Sequence, residues 1–99
     1  MTTIPDFTIN KLTVIDGPPN MRGTRLLATF DLHIVGMAIE GCVFIENSGG
    51  IARACGPIGK TSKGHKATVA ISDPVLQRAL TRRTAAAYGG LTGREVADE

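Results

Sequence analysis

A chain of 99 residues has room for one domain with a thin core, which assembly into a homo-oligomer would thicken. Only four aromatics (Phe7, Phe30, Phe44, Tyr88) and no tryptophan leave the core to Ile, Val, Leu and Ala and exclude a row of base-stacking rings. The formal charge of +2 conceals an asymmetry: positions 51–83 hold Arg53, Lys60, Lys63, Lys66, Arg78, Arg82 and Arg83 against Asp73 alone, and both flanks are net acidic.

In chain order, residues 1–6 are a short lead-in broken by Pro5. Residues 7–15 (FTINKLTVI) are rich in β-branched side chains; Phe7 and Ile9 alternate in one phase, Leu12 and Val14 in the other, which predicts one strand with a bulge near Asn10 and Lys11. Gly, Pro and Asn make residues 16–23 a loop. Residues 24–33 show the cleanest strand alternation, with Leu26, Ala28, Phe30 and Leu32 on one side. Residues 34–46 (IVGMAIEGCVFIE) are apolar almost throughout; a helix would have to tolerate Gly36 and Gly41 among β-branched residues, so a strand with bends at the glycines is preferred.

Asn47-Ser48-Gly49-Gly50 is a turn, and residues 51–55 return as a hairpin partner. A turn centred between Ser48 and Gly49 puts Cys42 opposite Cys55. A Gly-rich basic loop follows over 56–65, and a fifth strand over 66–71. Ser72 or Asp73 caps a helix that opens at Pro74 and is expected to stop at Gly89 and Gly90 just after Tyr88. Val75, Leu76, Ala79, Leu80, Ala86 and Ala87 form its apolar stripe, and residues 91–99 are a polar tail. The whole chain, 1–99, thus reads as a single domain with its ordered core over about 7–90.

Several short patterns carry chemical suggestions. Gly59-Lys60-Thr61-Ser62 resembles the end of a phosphate loop, but Ala54 stands where that motif needs its first glycine and no helix pattern follows, so nucleotide hydrolysis is not expected. The loop's Lys60, Lys63 and Lys66 either contact phosphates or only solvate a hairpin. Arg78 and Arg82, four apart on the helix rim, either grip phosphates or are ordinary helix solvation. Arg83 lies inside the apolar stripe, so it either snorkels from the core edge or marks a partner surface. His33, Cys42, Cys55 and His65 are the available soft ligands, but no C-x-x-C pair signals zinc, and no cofactor is expected. With no nucleophile motif and scattered acids, an enzyme is not expected either. No apolar run spans a bilayer, and MTTIPDFT lacks the features of a secretion signal. A cytoplasmic protein with reduced thiols follows as the expectation.

The segment LLATFDLHIVGMAIEGCVFIENSGGIARACGPIGKTSKGHK, followed by AISDP and a helix closing at Tyr88, resembles the stage V sporulation protein G (SpoVG) family. The matching positions are Ala28, Glu46 to Gly50, Ile51, Ala54, Pro57, Lys60, Ile71 and Tyr88. The likeness is that of a divergent member, because Pro57-Ile58-Gly59-Lys60 and Lys63-Gly64-His65 stand where the family carries a Pro-Ser-Lys-Arg run and an Asp-Gly-Glu turn. The resemblance implies a small dimer that binds DNA or RNA and adjusts gene expression, with Lys60 and the helix arginines as contacts.

Together these readings predict an α+β fold, a small curved antiparallel β-sheet of about five strands followed by one C-terminal helix, assembled as a homodimer. The expected function is backbone binding of nucleic acid by Arg53, Lys60, Lys63, Lys66, Arg78 and Arg82, without a recognition helix, a membrane or a small-molecule substrate. The alternative is a protein-interaction module that receives an acidic partner on the same face.

Overall fold

The computed structural model describes residues 5–60 and 62–98, and all of their side chains except those at 58–60, 66–68 and 98. The strands are β1 (Phe7–Val14), β2 (Arg25–Ile34), β3 (Met37–Glu46), β4 (Ile51–Cys55), β5 (Ile58–Lys60), β6 (Lys66–Thr68) and β7 (Ala97–Asp98), and the helix α1 (Pro74–Thr92) stands between β6 and β7. An antiparallel meander β1-β2-β3-β4 forms a curved sheet, to whose outer edge β7 adds in parallel, while β5 and β6 make a separate ribbon. The α+β architecture agrees with the sequence pattern.

The alternating run predicted at 24–33 becomes β2, whose core-facing Ala28, Phe30, Leu32 and Ile34 are buried against Phe44 and Cys42 of β3 and Phe7 of β1. The predicted bulge in β1 is present: the register slips between Asn10 and Thr13, and Lys11 takes a positive φ of 53°. Such a bulge, with the exposed Lys11 that meets Asp31 at 4.0 Å, blunts the sheet's edge strand.

The apolar run 34–46 is not one continuous strand. Val35 and Gly36, at φ 48° and 71°, turn the chain tightly between β2 and β3. Positive φ at both central residues is the geometry of a two-residue hairpin turn, and apolar character conceals it because Val is an unusual occupant. Gly41, at φ 77°, accommodates a second irregularity in β3.

At the next hairpin Asn47 organises the turn: its side-chain Oδ1 accepts from Gly49 N–H at 2.9 Å and Ile51 N–H at 3.0 Å. The resulting register pairs Val43 with Cys55, one residue away from the expected pairing of Cys42 with Cys55. Successive strand residues face opposite sides. Cys42 therefore sits fully buried opposite Phe30 on the core face, and Cys55 lies on the other face. Burial, and then the nearby Asp31 carboxylate, push the Cys42 thiol up, away from the reactive thiolate.

The helix begins as predicted, with Pro74 in its first turn and the Asp73 carboxylate accepting from Val75 N–H at 2.9 Å. Its end differs. Gly89 and Gly90 remain helical, and the stop is Gly93, left-handed at φ 74°, whose N–H donates to Gly89 O at 2.8 Å. Glycine inside a helix costs only about 1 kcal/mol, and a Cβ at Gly89 would lie 3.2 Å from Arg94 O. The glycine thus leaves room for the tail to fold back. The segment 91–99 expected as a polar tail is accordingly structured where it is described: the helix runs on to Thr92, Val96 packs against the core, and Ala97 and Asp98 pair with Ile51 and Ala52.

The buried helix face also differs from the predicted stripe. Gln77, Leu80, Thr81, Thr84 and Tyr88 point inward, whereas Val75 is 44% exposed and Ala86 is exposed. Polar demand from the sheet causes this rotation. β7 covers the outer edge of β4 only at Ile51 and Ala52. At Ala54 the backbone N–H donates to Thr81 Oγ1 at 3.2 Å, Gln77 Nε2 donates to the Ala54 carbonyl, and Gln77 Nε2 also donates to Thr81 Oγ1 at 3.1 Å. Leaving those two buried backbone groups bare would cost about 1–3 kcal/mol each, so the helix turns two polar side chains inward to meet them.

Around this contact Phe44 and Tyr88 pack with ring centroids 5.7 Å apart. The Tyr88 hydroxyl donates to Asp16, which also meets Arg94 at 3.4 Å, tying the loop after β1 to the end of the helix. Arg83 extends from the helix edge over the Phe7 ring, 4.2 Å from its centroid, and donates to the Phe7 carbonyl at 2.7 Å. The snorkelling alternative describes it.

Two stability predictions follow from these strained and buried positions. Val35→Asn, which suits a left-handed turn, is expected to raise stability by about 1 kcal/mol in urea denaturation, since the Val35 side chain is 70% exposed and loses no packing. Tyr88→Phe removes the hydroxyl that donates to Asp16 and is expected to cost about 1–2 kcal/mol at neutral pH. Burial, then the bond to Asp16, holds the Tyr88 phenol above its ordinary value of about 10. The unfolded chain therefore gives up this proton first, and the stabilisation is lost as pH rises through the folded value. The gap between parent and variant in urea midpoint should narrow above about pH 10.

Candidate nucleic-acid interface

Beyond Ala52 the outer edge of β4 is bordered by the segment 69–72 and the first turns of α1 instead of a strand. Two adjoining clefts, about 190 and 220 Å³, open there and share Arg53, Ile71 and Gln77. The smaller is lined by Arg53 from β4, Ser72 and Pro74 at the helix entry, and Gln77, Arg78 and Thr81 from α1. Arg53 is carried there because Ala52 and Ala54 occupy the core face on either side of it. Arg78 comes next to the inward-facing Gln77, on the flank that borders β4.

The basic ribbon starts at the same place. Gly56 is buried, and a Cβ there would lie 2.1 Å from the Val69 carbonyl oxygen. The chain leaving for β5 and the chain returning from β6 thus cross in direct backbone contact, sealed by Val69 N–H donating to Pro57 O at 3.2 Å. Gly56 and Val69 also line the larger cleft, so the ribbon rises from its rim. The loop expected over 56–65 contains strand β5, and the strand expected over 66–71 is reduced to β6. Lys63 is exposed in the turn of the ribbon, beside the exposed His65.

The structure therefore divides the predicted contacts. Arg53 and Arg78 are brought together on one cleft. Lys63 projects from the ribbon, and the exposed Arg82 lies one turn after Arg78 and lines neither cleft. Lys60 pairs with Lys66 in the backbone ladder, but their side chains lie outside the described residues. Thr61 lies outside them too. The GKTS run does not open a helix, because its Gly59 and Lys60 belong to β5 and the helix begins at Pro74.

Charge pairing is concentrated outside the basic segment. There Lys11, Arg25 and Arg94 face carboxylates at 4.0, 4.0 and 3.4 Å, and Arg22 in the exposed loop before β2 meets none among the described residues. Among the described residues, Arg53, Lys63, Arg78 and Arg82 have no ion pair. Such cations keep their full charge for an external anion. Sequence reasoning missed Gln77 and Thr81, which form the floor of the cleft; their signal was a polar i, i+4 pair flanking Leu80 in the buried arc. Among the described residues no three His, Cys, Asp or Glu side chains gather into a metal-sized group.

The chain matches no protein-family model, no curated protein and no solved structure.

Because Gly56 sets where the ribbon leaves the sheet, Gly56→Ala is expected to force the Val69 backbone aside at a cost of about 1–3 kcal/mol. Thermal unfolding should show Tm lowered by on the order of 10 °C.

Proposed function

We propose that this protein is a nucleic-acid-binding regulator that holds DNA or RNA by its phosphate backbone, without a cofactor. The observation that carries the reading is the convergence of Arg53 and Arg78, from two different elements, on one cleft lined by no carboxylate. The ribbon with Lys60, Lys63 and Lys66 springs from its neighbour, and Arg82 extends the same helix. The resemblance of the sequence to the SpoVG family points the same way, and with it goes a homodimer as the working form in the cytoplasm. Lacking a row of exposed rings and a helix-turn-helix, the surface suits phosphate contacts more than base readout.

Phosphate contacts make binding salt-dependent, because each neutralised phosphate releases counterions. Titration of labelled duplex and single-stranded probes at two or more salt concentrations is expected to show log K falling with log salt, at a slope of about −5 on duplex and about −4 on a single strand for six contacts. Arg53→Gln with Arg78→Gln should weaken binding across sequences and flatten the slope by about one per arginine. Alanine at Lys60, Lys63 and Lys66 together should do the same for the ribbon. Unchanged affinity in both variants ends the proposal, and a pull-down that recovers a protein after nuclease treatment would assign the face to an acidic protein partner.

A further inference from the structure

We infer that the smaller cleft, between β4 and α1, is a pocket for one phosphate monoester group. This inference deepens the proposed function and rests on it for the source it favours, the terminal phosphate of a nucleic-acid strand. Size is the first argument. At about 190 Å³ the cleft has space for a tetrahedral oxyanion with some water, and the adjoining cleft of about 220 Å³, which shares Arg53, Ile71 and Gln77 with it, leaves room for the strand end that carries the group.

Charge is the second argument. Arg53 and Arg78 bring two positive charges to the lining, Ser72 adds a hydroxyl, and no carboxylate lines the cleft. A phosphodiester, with one negative charge, would leave one arginine unmatched, whereas a monoester carries about −1.5 to −2 near neutral pH. Guanidinium groups also suit this anion because their planar forks can bond two of its oxygens at once. The neighbouring Asp73 stays out of the lining, its carboxylate turned to the helix cap where it accepts from Val75 N–H. That same bond occupies the Val75 amide, and Pro74 has no N–H, so the donors in the lining are the two arginines and the Ser72 hydroxyl.

The floor is the third argument. Gln77 and Thr81 are committed to the backbone of Ala54 and to each other. They hold β4 and α1 at a fixed separation, so the two arginines stand on supports that are locked before a ligand arrives. Preorganisation of this kind reduces the ordering that binding would otherwise require.

Two oligonucleotides of one sequence, labelled at the 3′ end and carrying either a 5′-phosphate or a 5′-hydroxyl, test the inference by fluorescence anisotropy. Calorimetric titration with inorganic phosphate forms the second arm. The phosphorylated strand is expected to bind about tenfold more tightly. Arg53→Gln and Arg78→Gln should each remove that preference with Tm unchanged, as both side chains are exposed. Equal affinity for the two strands, with no heat from inorganic phosphate, overturns the monoester pocket while leaving backbone binding in place. Heat from inorganic phosphate that Arg53→Gln abolishes, with neither strand bound, supports the pocket with free phosphate as its source and overturns the proposed function instead. Neither strand bound and no heat overturns both.

Discussion

The hydrogen bonds between Ala54 and the pair Gln77 and Thr81 fix the relation of helix to sheet, and most of the molecule's surface follows from that relation. A sheet edge must be paired, covered or exposed to water. Here β7 is only two residues long and reaches no further than Ala52. The helix takes up the next residue of that edge with side chains. Because those side chains must point inward, the helix is rotated away from its simplest apolar stripe, and Val75 and Ala86 are turned outward as a result. Arg78, next in sequence to Gln77, is thereby set beside β4, and Arg83 is swung to the opposite flank over Phe7. One polar requirement at one strand residue thus decides which arginine is available to a ligand and which is absorbed by the fold.

That distribution gives the charge asymmetry of the chain its physical content. Surface ion pairs contribute only about 0–1 kcal/mol to stability, so the bridges of Lys11, Arg25 and Arg94 matter less for holding the fold than for neutralising the cations that make them. Outside the basic segment Asp16, Asp31 and Glu46 each draw a local cation as partner. Inside it, the single acid, Asp73, turns its carboxylate to the helix cap and does not line the cleft. Arg53 and Arg78 consequently face solvent from a surface on which nothing of opposite sign lies between them.

Much of the fold was legible in the sequence where a local rule acts alone. Strand alternation located β2, β-branched residues with a phase change located β1 and its bulge, and Asp73-Pro74 located the helix start. What escaped were features decided by distant parts of the chain. Nothing local distinguishes a Val35-Gly36 turn from the apolar strand around it, because the turn exists only if β2 and β3 pair. Gly89 and Gly90 look like stops, and stay helical because a returning tail packs against that turn. The single-residue error in the Cys42 and Cys55 register came from centring the turn by symmetry, where Asn47 sets the geometry by accepting two backbone N–H groups. For the site, the basic character of 51–83 was visible, but the pairing of Arg53 with Arg78 on one cleft depends on the edge contact of Ala54, which no periodicity encodes.

Gly56 joins these two levels. It is the residue at which β4 stops belonging to the sheet and the basic ribbon starts, and its lack of a side chain lets the outgoing and returning strands touch at Val69. With any larger residue the ribbon would have to open at its base, and the segment 69–72, which borders both clefts, would be displaced from β4. The helix entry at Asp73 and Pro74 would move with it, and so would Gln77 and Thr81. The close approach at Gly56 and the side-chain bonds at Ala54 are therefore two ends of one constraint: they hold the same short stretch of chain against the strand edge from opposite sides. The cleft is the space that this double attachment leaves, and the backbone positions from which its two exposed arginines extend are set by the same contacts.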